Sequence, residues 1–129
     1  MGLEEKRRIK ELQEVTLPER VSEIEEICGV AIPYDVDWDS LADDSEGLNF
    51  LDNVSCHRLN MALRTICIDD LGKEAIAETL TVVKLKNVAE ADRSISFTDG
   101  VLEMSVPYAQ GASGMFSDNE IREVLMAGL

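Results

Sequence analysis

Residues 94–106, SISFTDGVLEMSV, allow one backbone arrangement that satisfies turn chemistry and burial at once. Asp99–Gly100 suits a two-residue turn, because both central positions of a type I′ turn need a positive φ. That turn sets Phe97 opposite Leu102 and Ile95 opposite Met104, all four on one face. Ser94, Ser96, Glu103 and Ser105 share the other face. Slipping the register by one residue would put every apolar side chain in water. The segment is therefore an antiparallel hairpin with one buried face, and the rest of the chain must cover that face.

Helical periodicity supplies the cover. Residues 3–15 carry Ile9, Leu12 and Val15 as a narrow apolar stripe. Thr16 and Glu19 match a capping box, with Pro18 in the first turn, where its missing N–H costs nothing. A second helix is expected to start there, with Leu17, Val21, Ile24, Ile27 and Cys28 inward and Gly29 at its end. The pattern predicts a helical hairpin over residues 1–29. Residues 46–68 are the longest helical segment, with Leu48, Leu51, Leu59, Ala62, Leu63 and Ile66 along one side. Phe50, Val54, His57 and Met61 lie on the opposite side. A helix apolar on two sides is central to a core or covered by a partner, so this second face is read as a self-association surface of a homodimer. Residues 69–80, DDLGKEAIAETL, form a shorter helix weakened by Gly72. Ser117 and Glu120 cap a last helix whose inward residues are Ile121, Val124 and Leu125.

Two further strands follow from period-two patterning. In residues 30–38, Val30, Ile32, Tyr34, Val36 and Trp38 alternate with Ala31, Pro33, Asp35 and Asp37. Pro33 lacks a ladder donor, which places this strand at an edge or beside a bulge. Residues 81–88, TVVKLKNV, read as the other strand. The order is α-α-β-α-α-β-β-β-α, an α+β fold with a four-stranded antiparallel sheet packed against helices. The 129 residues form a single domain, 1–29 helical and 30–129 the strand–helix–hairpin–helix core.

The net charge of −14 disfavours binding to phosphate backbones, so no nucleic-acid partner is expected. No apolar run is long enough for a membrane span, and the charged N-terminus lacks a signal sequence's apolar region. Three cysteines, Cys28, Cys56 and Cys67, fit no disulfide framework and point to a reducing, cytoplasmic setting. Basic residues cluster only in KRRIK, residues 6–10, where flanking acids suggest ion pairs on a helix surface.

Function is least legible, and the one charged feature is DVDWDSLADDSE, residues 35–46, with six acids and no base. Asp35, Asp37, Asp39, Asp43 and Glu46 occupy positions 1, 3, 5, 9 and 12 of a calcium loop. Ser40 stands where such a loop needs glycine, and a strand precedes it rather than a helix. The same acids are explained by a strand's solvent face, followed by Asp43 and Glu46 as N-cap and N3 of the long helix. Asp35, Asp37, Trp38, Asp39, Asp43 and Asp44 are then candidates for contact with a basic partner, since complementary charge speeds and selects association. Cys56 and His57 are adjacent on a helix and point about 100° apart, so they do not form a nucleophile–base dyad. The leading expectation is a non-enzymatic interaction or accessory protein with no cofactor, for instance an inhibitor or immunity-type protein facing a basic enzyme. A calcium module built on residues 35–46 is one alternative. A small enzyme using His57 or Cys56 is the other.

Overall fold

The computed structural model describes residues 2–129. Helix α1 (Leu3–Glu11) and helix α2 (Leu17–Cys28) are followed by strand β1 (Tyr34–Val36). Helices α3 (Ser45–Phe50), α4 (His57–Ile66) and α5 (Asp70–Thr79) lead into β2 (Val82–Asn87). Strands β3 (Ser94–Thr98) and β4 (Val101–Val106) precede helix α6 (Asp118–Gly128). The α+β order is the expected one.

Where a helical hairpin over residues 1–29 is expected, the described residues 3–28 instead form one continuous helical rod, and Met1 lies outside the described residues. A π-turn, Leu12–Thr16, joins α1 to α2, and Leu12, Thr16 and Leu17 all keep right-handed helical dihedrals. Thr16 makes no side-chain cap. Pro18 normally interrupts a helix because it lacks an N–H and its ring crowds the preceding turn. Here it lies one residue beyond Leu17, which closes the π-turn by donating to the Leu12 carbonyl, and the slipped hydrogen-bond pattern accommodates the missing donor. Val15 consequently points to water. Arg8 pairs with Glu11 at 2.7 Å, as expected for the basic cluster on a helix surface. A second π-turn, Leu51–Cys56, joins α3 to α4 and turns Ser55 and Cys56 inward together.

The sheet is mixed rather than wholly antiparallel, in the order β1-β2-β4-β3. β1 pairs with β2 and β2 with β4 in parallel, and only β3–β4 is antiparallel. The chain returns from β1 to β2 through α3–α5, and such a helical crossover joins parallel neighbours. The hairpin itself forms as expected, with Phe97 opposite Leu102 and Ile95 opposite Met104. Asp99 and Gly100 both have positive φ, 53° and 82°. β4 takes the interior position because Leu102, Met104, Ser105 and Val106 are all buried, whereas β3 alternates between half-buried and exposed.

One face of the sheet packs on the helices, and the other carries Asp35, Lys84, Glu103 and Ser96 side by side across the strands. Leu48, Leu51, Leu59 and Leu63 of α3–α4 are fully buried, packed with Val83, Leu85 and Leu102 of the sheet in one core. Helix α4 lies between α2 and α6. Gly72 is a requirement rather than a weakness, because a Cβ there would lie 1.7 Å from the Ile66 carbonyl oxygen. Among the described residues no helix is long and apolar enough to cross a membrane.

A polar network fastens the helical rod to this core. Asn60, only 1% exposed, accepts a 2.7 Å hydrogen bond from the Tyr34 hydroxyl. Its amide donates to Glu23 at 2.6 Å and to the Arg20 carbonyl at 3.3 Å. Arg20 in turn donates to Asp52 at 2.7 Å and to Glu23 at 3.2 Å. We expect Asn60→Ala to lower stability by roughly 2–4 kcal/mol, because it removes the acceptor of the buried Tyr34 hydroxyl and the donor to Glu23 and leaves a hole at a buried site. Urea unfolding would show a lower midpoint at unchanged slope, and a loss under about 1 kcal/mol would contradict the network's role.

Candidate functional site

The acidic stretch is held rigidly at one edge of the sheet. β1 bonds β2 through its odd-numbered residues: the Pro33 carbonyl accepts from Val83 N at 3.0 Å and Asp37 N donates to Leu85 O at 2.9 Å. Ladder alternation therefore turns the N–H and C=O groups of Tyr34 and Val36 to the other side. β1 is a terminal strand, so that side has no neighbouring strand. Pro33 at an edge strand is as expected.

Asparagine and serine side chains lock the turn that follows. Ser40 Oγ donates to the Asp37 carbonyl at 2.6 Å, and Asp37 accepts from Ser40 N at 3.2 Å. Asn87, at the end of β2, donates to Ser40 through its main chain at 3.0 Å and its side chain at 2.9 Å. The Asn87 side-chain oxygen, Oδ1, accepts from Tyr108 N at 3.0 Å. The segment Trp38–Leu41 is thereby a fixed 3-10 turn pinned to the sheet.

The helix that follows is capped by Asp44, not Asp43: Asp44 accepts from Gly47 N at 2.8 Å. The cap shifts by one residue because the helix begins at Ser45. Asp44 is thus occupied by the helix, while Asp35, Asp37, Asp39, Asp43 and Glu46 stand exposed. Residues 35–46 run from strand through 3-10 turn into helix. Among the described residues no three His, Cys, Asp or Glu side chains come together so as to hold a metal ion.

Beside this edge runs a groove of about 370 Å3. Gln13, Leu17, Pro18 and Val21 form its helix wall, and Pro33, Tyr34 and Trp38 its strand wall. Among the described residues no acid lines the groove itself: Glu14 and Glu19 line a neighbouring depression of the rod, and Asp35 and Asp37 alternate with Tyr34 and Trp38 and face the open side of the sheet. That open sheet face is mixed in charge. Its depression of about 380 Å3 is lined by Asp35, Asp37 and Glu103 together with Lys84 and Lys86.

The remaining candidates separate. Phe50 and Val54 are half-buried against the chain's own core, while His57 and Met61 are exposed. The four do not form one free apolar face. Cys56 is fully buried and His57 is exposed, so they share no site. Burial and the nearby Asp52 carboxylate push the Cys56 thiol far up, which suits packing and not nucleophilic attack. Compared with known protein families, curated proteins and solved structures, the chain matches none of them.

Sequence reasoning missed the groove and the polar network. The groove joins residues of the rod to residues of β1, and each set alone reads as an ordinary core face. Asn60, a polar residue inside the apolar stripe Leu59–Ala62–Leu63, was the one available signal of the network.

Both tyrosines of the chain bury their hydroxyls. Burial raises Tyr34 well above the ordinary range, with the neighbouring Cys56 adding to it and Arg20 opposing. Burial also raises Tyr108, against the pull of its 2.9 Å hydrogen bond with Ser55. A raised folded-state value contributes stability that is complete below the unfolded tyrosine range, about pH 10, and is lost as pH rises towards the folded value. We expect tyrosinate absorbance to stay flat through about pH 10 and then to rise together with loss of circular dichroism. Ordinary tyrosine titration in a protein with native dichroism would contradict the burial of both hydroxyls.

Proposed function

We propose that the chain is a cytoplasmic, non-enzymatic interaction protein that captures an extended, basic segment of a protein partner along the β1 edge. The outward main-chain groups of Tyr34 and Val36, on a terminal strand with an apolar groove on one side and the exposed Asp35, Asp37 and Asp39 on the other, carry this reading. An extended segment laid there continues the sheet through main-chain hydrogen bonds. Its alternate side chains divide between the groove and the acids. Lys or Arg suits Asp35, Asp37 and Asp39, and an apolar residue suits Trp38, Pro33 and Pro18. Exposed edges invite unwanted pairing, and proteins usually blunt them with charge. Here the charge is of one sign, so it repels acidic strands and admits basic ones. An inhibitor or immunity-type protein facing a basic enzyme is one form of this function. The three free cysteines favour a reducing compartment. Self-association through Phe50, Val54, His57 and Met61 lacks comparable support, because two of these four are packed inward.

Trp38 is the single tryptophan and lines the groove, so its fluorescence reports occupancy directly. We expect a short peptide alternating lysine and valine to shift Trp38 emission, with affinity falling as salt is raised. Exposed ion pairs contribute about 0.5 kcal/mol each, so changing Asp35, Asp37 and Asp39 to Asn together weakens binding roughly tenfold. Methylating alternate peptide nitrogens removes the ladder hydrogen bonds and abolishes binding at unchanged charge. Equal binding of a glutamate–valine peptide, or full binding of the methylated one, would overturn the proposal.

A further inference from the structure

The C-terminal ends of α2 and α4 meet at a pair of thiols. Cys28 is the last residue of α2, before Gly29 in the left-handed conformation. Cys67 is the C-cap of α4, where the chain turns towards α5. Their sulfurs lie 2.7 Å apart, well inside the van der Waals contact of two sulfur atoms and not far above the bonded separation of about 2.05 Å. Both residues are closely buried, Cys28 at 2% and Cys67 at 4% exposure. Cys56 lies elsewhere, among Asp52, Arg20 and Tyr34.

We propose that Cys28 and Cys67 are a dithiol that closes reversibly to an intramolecular disulfide. Little movement is needed to bring the sulfurs to bonding distance, and the helices on either side already set their separation. The co-reactant is a small-molecule disulfide such as oxidised glutathione. One cysteine thiolate attacks a glutathione sulfur and expels a glutathione thiolate, leaving a mixed disulfide. The second cysteine thiolate attacks the protein sulfur of that mixed disulfide and expels the second glutathione. Two cysteine thiols and one oxidised glutathione thus give one protein disulfide and two reduced glutathiones. The two cysteine protons pass to the departing thiolates.

Access comes from the two helix ends. Gly29 and the Ile68–Asp69 turn are exposed, and helix termini open before helix centres. Burial raises the thiols of both residues, with Lys73 opposing the shift in each. The resting pair is therefore protonated and slow to react, and opening of the helix ends sets the rate. Once formed, the bond staples the end of the rod to the end of α4, across 39 residues of sequence. This inference does not depend on the β1 edge or on what occupies it.

The test oxidises the folded full-length chain in glutathione buffers of graded ratio, then alkylates free thiols under denaturing conditions and maps peptides by mass. The expected map shows one intramolecular link between the peptides carrying Cys28 and Cys67, with Cys56 alkylated. Dithiothreitol reverses it. The Cys56→Ala protein retains the link, and Cys28→Ser and Cys67→Ser each lose it. The oxidised form is expected to melt on the order of 10 °C above the reduced form, because the link closes a long loop. Three alkylated thiols in folded protein, a link through Cys56, or only glutathione adducts would overturn the proposal. So would an oxidised form that melts no higher than the reduced one, since the folded chain would then not hold the sulfurs ready to bond.

Discussion

The side chain of Asn60 sits where three elements of the fold meet. Helix α4 carries it, the rod receives its two N–H bonds at Glu23 and Arg20, and β1 supplies the Tyr34 hydroxyl that it accepts. An amide can donate twice and accept at its oxygen, and here it does both at a nearly water-free position. Apolar contacts alone would let the rod slide or rotate over α4 at small cost. The bonds at Asn60, with the Arg20–Asp52 pair beside them, specify one register. At Arg20 burial pulls the pKa down but Asp52 and its other neighbours, Glu23 and Cys56, together raise it, and at Glu23 it is lowered, due first to Asn60; both reflect the same arrangement.

That register determines the groove. The Tyr34 ring forms part of its strand wall while its hydroxyl is anchored to Asn60. Leu17 and Val21 form part of the opposite wall because the helix continues through the π-turn at Leu12–Thr16. Had the chain folded back at Thr16, as its capping pattern suggests, the helix wall would be interrupted at Pro18. Ser40 and Asn87 do for the acidic turn what Asn60 does for the rod. An edge strand of three residues is short, but both its ends are bonded into the sheet, so it presents its outer side in a defined conformation.

Local chemistry was legible in the sequence wherever a few adjacent residues decide the outcome. The Asp99–Gly100 turn and the Ser117–Glu120 capping box appear as read, and burial alternates over residues 30–38 as read, although only Tyr34–Val36 of that stretch is strand and Trp38 opens the 3-10 turn. Readings failed where a distant element decides. The Thr16–Glu19 pattern is a sound local signal, yet Thr16 keeps helical dihedrals between Leu12 and Leu17, both buried in the core. Strand order depends on which hairpin strand is apolar enough to be covered, and β4 differs from β3 there by little more than Ser105 and Val106. Of the candidate site, the acids were visible as charge. The groove was not, because its two walls come from separate parts of the chain and neither wall is unusual alone.

On the proposed reading, the outer side of β1 is an open, ordered edge that a basic strand completes. Amide hydrogen exchange, read residue by residue with and without the lysine–valine peptide, tests it most directly. The amides of Asp35 and Asp37, bonded to β2, should exchange slowly in both states. Those of Tyr34 and Val36 should exchange fast in the free chain and slow markedly in the complex. If Tyr34 and Val36 are already as protected as Asp35 and Asp37 in the free chain, or stay fast in a saturated complex, the edge is not where a partner adds.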